Sequence, residues 1–94
     1  MGCFVTVKAM SEVGRIMGWS EREVELRGST LDSLLRSLLA LDGQSLYNVL
    51  VENGSLKEDY IIGINGHIVT SLNTPLNCGD RVLTMEMVRL FQGG

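Results

Sequence analysis

The chain ends in two glycines, and the carboxylate of the second is the group to which the sequence assigns the chemistry. Glycine lacks a Cβ atom, so Gly93 and Gly94 can enter a channel that is too narrow for other residues and can adopt most backbone angles there. The carboxylate carbon of Gly94 is also sterically open to a nucleophile or to a nucleotide phosphate. We therefore expect Gly94, with Gly93 beside it, to be the reactive end and the rest of the chain to present it.

The segment before the two glycines carries the second set of candidate residues. A terminal glycine pair alone is a weak signal, because chain ends are often disordered and glycine-rich ends can be left by cloning. Apolar residues this close to an end have little core left to enter, and exposed apolar patches often mark interfaces. We expect Phe91, Leu90 and Val88 to anchor a partner protein and Arg89 to make polar contacts with it, although Val88 could instead complete the last strand.

Residues that could hold a metal or a cofactor are scarce. Cys3 and Cys78 are far apart and form no CxxC pair, and the single histidine, His67, gives no recognised zinc spacing with them. The cysteines are also too few for a four-cysteine iron–sulfur site. We expect no metal and no bound cofactor. Two cysteines in a chain that is large enough to fold without a disulfide favour free thiols in a reducing cytoplasm. A Cys3–Cys78 disulfide stays open as the alternative.

Composition restricts the kinds of partner. The 94 residues carry a net charge of −3, and acidic and basic residues are interleaved rather than gathered in a basic stripe. Nucleic acid is therefore not an expected partner. No apolar run approaches the roughly 18–20 residues of a membrane span, so a membrane is not expected either. We expect one domain over residues 1–88, followed by a flexible tail over residues 89–94, in a cytoplasmic protein.

Alternating apolar residues and turn signals predict the strands. A short helix over Glu12–Met17 should begin at Ser11 as its cap and end at Gly18. Asn65-Gly66 is a strong signal for a two-residue hairpin turn. The second strand alternates apolar with charged residues, as an edge strand does. The predicted strands cover Phe4–Ala9, Glu21–Arg27, Tyr60–Ile64, His67–Thr70 and Arg81–Val88.

A leucine stripe predicts the central helix. Ser29 or Thr30 is its expected cap, with Asp32 in the capping-box position after Ser29, and Asp42-Gly43 is its expected end. Leucines at i, i+3, i+4, i+7 and i+8 form one helical face, which should lie across a sheet. They are Leu31, Leu34, Leu35, Leu38 and Leu39.

The segment after this helix is less regular. Leu46 and Leu50 indicate a short helix that Gly54 would end, and residues 55–59 should be a polar connection. The order of elements is then strand, short helix, strand, long helix, short helix, hairpin and final strand. This order predicts an α+β chain with the ubiquitin-like β-grasp fold, in which one long helix packs across a mixed sheet of about four to five strands.

Three motifs together resemble those of the MoaD/ThiS family of ubiquitin-like sulfur-carrier proteins, which includes the small subunit of molybdopterin synthase. They are the hairpin turn Ile64-Asn65-Gly66, the turn into the last strand, and the terminal Gly93-Gly94. The likeness extends over the whole chain, but the tail is longer than the family pattern and lacks the Pro-Pro that molybdopterin-type members usually carry near the end. The turn into the last strand reads Pro75-Leu76-Asn77-Cys78-Gly79-Asp80-Arg81-Val82, against Pro-Leu-x-x-Gly-Asp-x-Val in the family.

The resemblance implies a protein co-substrate rather than an enzyme. A ThiF/MoeB-like activating enzyme would use ATP to adenylate the Gly94 carboxylate, and a sulfurtransferase would convert it to a thiocarboxylate. An acceptor synthase, of the molybdopterin synthase large-subunit type or the thiazole synthase type, would then take the sulfur for molybdenum cofactor or thiamine biosynthesis. Two alternatives stay open: a ubiquitin-like modifier joined through Gly94 to lysines of target proteins, and a plain β-grasp interaction module.

Overall fold

A computed structural model describes residues 2–87 of the chain. None of the helices within residues 2–87 has the length and apolar composition of a membrane span. Within it the chain forms strands and short helices in the order β1 (Phe4–Ala9), α1 (Ser11–Met17), β2 (Glu21–Glu25), α2 (Leu31–Ser37), α3 (Leu46–Leu50), β3 (Val51–Glu52), β4 (Ser55–Leu56), β5 (Tyr60–Ile64), β6 (His67–Val69) and β7 (Arg81–Glu86).

β7 lies at the centre of the main sheet. The strands of this sheet are ordered β2-β1-β7-β5-β6, with β7 parallel to β1 and the other neighbouring pairs antiparallel. Val7 is opposite Val82 across the parallel pair, and Ile62 is opposite Thr84 across the antiparallel one. β3 and β4 form a separate two-stranded ladder. The five-stranded mixed sheet is the ubiquitin-like β-grasp arrangement that the sequence predicts.

The core lies between one face of this sheet and the helices. Because side chains alternate along a strand, Val7, Ile62 and Val82 all point to that face and are buried. Thr84 is a buried polar residue on the same face, and its hydroxyl donates a hydrogen bond to the Lys8 carbonyl (3.0 Å), so its burial leaves no unpaired group. The helices contribute Val13, Met17, Leu31, Leu34, Leu35, Leu46, Val49 and Leu50.

The prediction of one long helix that ends at Asp42-Gly43 is wrong, because α2 ends at Ser37. Leu38 has extended backbone angles (φ −98°, ψ 128°). The Leu46 amide donates to the Leu38 carbonyl (2.7 Å), and Leu39 pairs with Ser45 in a β-bridge, so the chain is extended here. Leu38 is buried and Leu39 is exposed, since neighbouring residues in an extended segment face opposite ways.

The caps of the first two helices differ in part from the prediction. Thr30 caps α2, as one of the two predicted candidates: its hydroxyl accepts a hydrogen bond from the Ser33 amide (3.3 Å), and the Ser33 hydroxyl accepts one from the Thr30 amide (3.2 Å). Asp32 is therefore not the partner in the capping box. Ser11 is the first residue of α1 rather than its cap, while Gly18 ends α1 with a φ of 86°, as predicted.

Two Asn-Gly pairs form tight hairpin turns. Asn65 and Gly66 join β5 to β6 as predicted, with φ of 53° and 88°. Asn53 and Gly54 join β3 to β4 with φ of 54° and 79°, whereas the prediction placed Gly54 at the end of a helix and a plain connection after it. Positive φ at both residues is the pattern of a type I′ turn, which matches the twist of the flanking strands.

A disulfide joins Cys3, just before β1, to Cys78, in the turn before β7, with a Cα–Cα distance of 5.0 Å. The sequence favours free thiols, and the structure instead contains the disulfide that was the alternative. A backbone hydrogen bond runs alongside, from the Gly79 amide to the Phe4 carbonyl (2.7 Å). The covalent link therefore lies where the central β1–β7 pair begins.

Leu35→Ala tests the packing of α2 on the sheet. Leu35 is fully buried, so the substitution should lower the free energy of unfolding by about 2–5 kcal/mol. Leu39→Ala is the matched control, because it makes the same chemical change at a leucine that is 62% exposed, and it should cost about 0.5 kcal/mol or less. Urea titration measures both losses. Equal losses would show that α2 does not face the core.

Reduction tests the link between Cys3 and Cys78. The cysteines are 75 residues apart in sequence, so the bond closes a long loop in the unfolded chain and should stabilise the fold by about 2–4 kcal/mol. Urea unfolding with and without a thiol reductant measures this difference. The double variant Cys3→Ser, Cys78→Ser should match the reduced chain and ignore the reductant. Coincident curves for the oxidised and reduced wild type would contradict the prediction.

Candidate functional site

The reactive end expected from the sequence lies outside the described residues. The structure describes the strand that leads to it and the surface beside the end of that strand. The amide of Met87, the last described residue, donates to the Asp59 carbonyl (2.6 Å), so Met87 lies beside the loop that precedes β5, and we call this point after the end of β7 the exit. The predicted domain boundary at residue 88 and all the predicted site residues fall beyond this point: Val88, Arg89, Leu90, Phe91, Gly93 and Gly94.

β7 ends at the side of the sheet where β1 gives way to α1. The Met10 amide, which follows β1, donates to the Thr84 carbonyl (2.8 Å). On the other side of β7, Tyr60 lies opposite Glu86. The exit at Met87 is therefore flanked by the β1–α1 connection and by the start of β5.

Tyr60 lies among carboxylates at this exit. Burial raises the pKa of its phenol, and the negative charges of Glu86, Glu12 and Asp59 raise that pKa further. The phenol therefore stays protonated at physiological pH and can donate a hydrogen bond. One of these carboxylates, Glu12, is paired with Arg15 at a distance of 3.3 Å, so the surface around the exit carries both signs of charge.

The sheet face that the helices leave uncovered carries an apolar cluster next to the exit. Ile61 lies opposite Met85, so alternate positions of β5 and β7 share this face. Ile68 is 72% exposed and Met87 is 46% exposed. Exposed apolar clusters of this kind mark interaction sites. We call the cluster the outer patch, and it consists of Ile61, Ile68, Leu83, Met85 and Met87.

A shallow cavity opens in the outer patch at Gly63. Gly63 lies opposite both Leu83 and Ile68, and because it has no side chain the space between these two residues stays open. An apolar side chain of a partner protein could fill this space, as anchor residues do at interfaces. The cavity has a volume of about 200 Å³ and is lined by Ile61, Gly63, Gly66, His67, Ile68, Leu83 and Met85.

The other half of the same face is charged. Lys8 on β1 has its ammonium 3.8 Å from the Glu21 carboxylate on β2. Glu23 and Glu25 follow on the same side of β2, opposite Thr6 and Phe4. Like charges along an edge strand discourage pairing with another chain. An apolar partner surface therefore fits the β7–β5–β6 half and not the β2 edge.

The motif residues that carried the resemblance meet at the opposite end of β7. The Asn65 side-chain amide donates to one oxygen of Asp80 (2.9 Å), and the Asn65 side-chain carbonyl accepts from the Arg81 amide (2.9 Å). The second Asp80 oxygen accepts from the Asn77 amide (2.8 Å). These bonds tie the β5–β6 turn to the turn before β7, so these residues position the strand that leads to the predicted reactive end.

Sequence reasoning did not identify the residues of the outer patch. His67 lies opposite Ile64, next to the β5–β6 turn, and is exposed. The alternation that sets Leu83, Met85 and Met87 on one face of β7 was visible, but which face is covered depends on where the helices pack. Among residues 2–87, no group of three or more His, Cys, Asp or Glu side chains is placed to hold a metal ion.

Comparison with known proteins gives matches at the level of structure. No protein-family model matches the chain, and no curated protein matches it. The Haloferax volcanii protein HVO 2177, whose solution structure is known, has 25% sequence identity to this chain. The two structures superpose with a TM-score of 0.75 over 98% of this chain and 87% of that one.

Two further solved structures are similar to this chain. The small archaeal modifier protein 1 of Methanosarcina acetivorans is 24% identical, with a TM-score of 0.72 over 100% of this chain and 99% of that one. The putative molybdopterin converting factor, subunit 1, of Pyrococcus furiosus is 25% identical, with a TM-score of 0.69 over 92% of this chain and 99% of that one. Identities this low speak for shared architecture, and the chain has the MoaD/ThiS-like form of the ubiquitin-like β-grasp fold.

Proposed function

We propose that this protein is a sulfur carrier whose Gly94 carboxylate is adenylated and then converted to a thiocarboxylate that donates its sulfur. One observation carries the proposal: β7 takes the chain from the centre of a MoaD/ThiS-like sheet toward a segment that ends in Gly93-Gly94. The likeness to a putative molybdopterin converting factor subunit supports it. The proposal requires Gly94 to bear a free carboxylate in the working protein.

The proposed chemistry has two steps. An oxygen of the Gly94 carboxylate attacks the α-phosphorus of ATP, so an oxygen–phosphorus bond forms and pyrophosphate leaves. A sulfide equivalent, HS⁻, delivered by a sulfurtransferase, then attacks the acyl carbon, and AMP leaves with the bonding electron pair. The product is a thiocarboxylate, in which sulfur replaces one oxygen. Adenylation is needed because a carboxylate is a poor electrophile, whereas AMP is a good leaving group.

The carrier supplies no acid, base or metal in this scheme. A ThiF/MoeB-like activating enzyme would bind the ATP, and the carrier would contribute a terminus thin enough to bring its carboxylate in line with the α-phosphate. The outer patch, led by the exposed Ile68 and Met87, offers that enzyme a surface to hold while the terminus enters its site. Phe91 and Leu90 would add apolar contacts next to the reactive end, and Arg89 a polar one.

The acceptor that best fits the chain is a cofactor synthase of the molybdopterin type. The chain contains α1 between β1 and β2, and thiazole-type carriers are usually shorter there. A synthase large subunit would bind the carrier and take sulfur from the thiocarboxylate, which is a strong nucleophile. The segment Met87–Gln92 lacks the expected Pro-Pro, so it would contact its acceptor differently from the usual molybdopterin-type tail.

A second candidate function is that of a ubiquitin-like modifier. The likeness to a small archaeal modifier protein favours it. The same adenylate would serve: a lysine Nζ of a target protein would attack the acyl carbon, an isopeptide bond would form and AMP would leave. Mass spectrometry separates the two functions, because a carrier gains sulfur at Gly94 whereas a modifier becomes linked to lysine.

Substitution of the terminal glycine tests the proposed reactive group. Gly94→Ala, or deletion of Gly94, should slow adenylation by its cognate activating enzyme about a hundredfold or more, because a shift of about 1 Å at the reacting atom costs that much. Gln92→Ala is the matched control in the same segment and should keep most activity. Pyrophosphate release in the presence of ATP measures the rate. A Gly94-deleted chain that is adenylated as fast as wild type would refute Gly94 as the reactive group.

Substitution of exposed apolar residues tests the docking surface. Ile68→Ala should weaken binding to the activating enzyme about tenfold, as the loss of an interface anchor does. Leu41→Ala is the matched control, since Leu41 is 76% exposed but lies beside Gly18 at the end of α1, on the helical side of the sheet. Phe91→Ala should also weaken binding and leave the melting temperature unchanged. Titration calorimetry compares the three, and an equal loss for Leu41→Ala would contradict the assignment.

A further inference from the structure

The two Asn-Gly hairpin turns share sequence and backbone conformation. All four residues have φ between 53° and 88°, and all four are exposed. Gly54 and Gly66 are equally uncrowded, because a Cβ atom at either one would meet nothing within 4 Å apart from its two neighbours in the chain. The chain therefore contains two copies of one turn, Asn53-Gly54 and Asn65-Gly66, whose backbones match and whose side-chain contacts can be compared directly.

Those contacts differ. Asn65 is held at both ends of its side-chain amide: the nitrogen donates to the Asp80 carboxylate (2.9 Å) and the oxygen accepts from the Arg81 amide (2.9 Å). The Asn53 side chain makes no hydrogen bond with any residue in the part of the chain that the structure describes. The first amide is fixed against a strand, and the second is free to turn within its hairpin.

An asparagine that precedes glycine can react with its own backbone. The glycine nitrogen attacks the side-chain carbonyl carbon, a new carbon–nitrogen bond closes a five-membered succinimide ring, and ammonia leaves. Water then adds to one of the two ring carbonyls and opens the ring, giving aspartate or isoaspartate. Glycine permits the attack because no side chain crowds its nitrogen. The reaction also requires the asparagine amide to turn toward that nitrogen.

We propose that Asn53 is a modification site, which converts spontaneously to aspartate and isoaspartate, and that Asp80 and Arg81 protect Asn65 from the same reaction. The Asn65 amide must break a bond to a carboxylate and a bond to a strand amide before it can turn. Breaking such a charge-assisted hydrogen bond costs free energy, so the reaction at Asn65 is slower than at Asn53 by roughly tenfold to a hundredfold.

The two sites differ in what the modification would do. At Asn53 it adds a negative charge beside Glu52, in a small ladder that lies outside the main sheet. At Asn65 it would set a second carboxylate against Asp80 and break the tie to the start of β7. The protected residue, Asn65, is therefore in the turn that positions β7. The reactive residue, Asn53, is in a turn that lies outside the main sheet.

The test follows both residues in the folded, full chain during incubation at mildly alkaline pH. Peptide mapping by mass spectrometry detects the exchange of the amide NH₂ for OH and separates aspartate from isoaspartate. Asn53 should react roughly tenfold to a hundredfold faster than Asn65. Asp80→Ala should speed the reaction at Asn65 and leave Asn53 unchanged. Asp80→Asn is the matched control, because it keeps an oxygen that can accept from the Asn65 amide but removes the charge, and the rate at Asn65 should fall between those of wild type and Asp80→Ala.

Equal rates at Asn53 and Asn65 in the folded wild type would overturn the proposal. So would an Asn65 rate that is the same in wild type and in a folded Asp80→Ala variant. If Asp80→Ala does not fold, the wild-type chain in urea decides. The two rates should converge there because both turns are lost, and a difference that persists in urea would show that local sequence, rather than the contacts of Asn65, sets the rates.

Discussion

The parallel pairing of β1 with β7 is the constraint on which the rest of the structure depends. β7 has no free edge, because β1 bonds to one side of it and β5 to the other. Its positions Val82 and Thr84 must then fit beneath the helices, which leaves Leu83 and Met85 for the open face. The alternation of side chains along β7 that buries Val82 and Thr84 in the core therefore also places Leu83 and Met85 in the outer patch. A strand held on both sides also gives a rigid base to whatever segment follows it.

The main sheet was largely predictable from local patterns. Phe4–Ala9 and Tyr60–Ile64 form strands with the predicted bounds, because alternation and β-branched residues act over a few neighbours. The β5–β6 turn was also found from Asn65-Gly66 alone. β2, by contrast, ends two residues before its predicted limit, at Glu25. The assignment of the reaction to Gly94 rests on its residue type, its place in the sequence and the resemblance, and stays a prediction.

The predictions were wrong where a local sequence pattern is compatible with two structures, or where contacts with distant residues determine the structure. Leu38 and Leu39 suit a helical stripe as well as an extended pair, and contact with residues 44–46 selects the second. Asn53-Gly54 carries the same turn signal as the pair at 65, but its flanking strands are two residues long and show no alternation. The Cys3–Cys78 link depends on a long-range approach that no local pattern encodes.

The separation of β1 from β7 along the chain also governs how the domain reaches its structure. Thr6 must find Arg81, so the centre of the sheet closes only when a long loop has been brought together, at a cost in chain entropy. The β5–β6 hairpin closes across two residues and needs no such search. Because distant pairings slow folding, we expect the meeting of β1 with β7, rather than closure of the local hairpins, to limit the folding rate of the reduced chain.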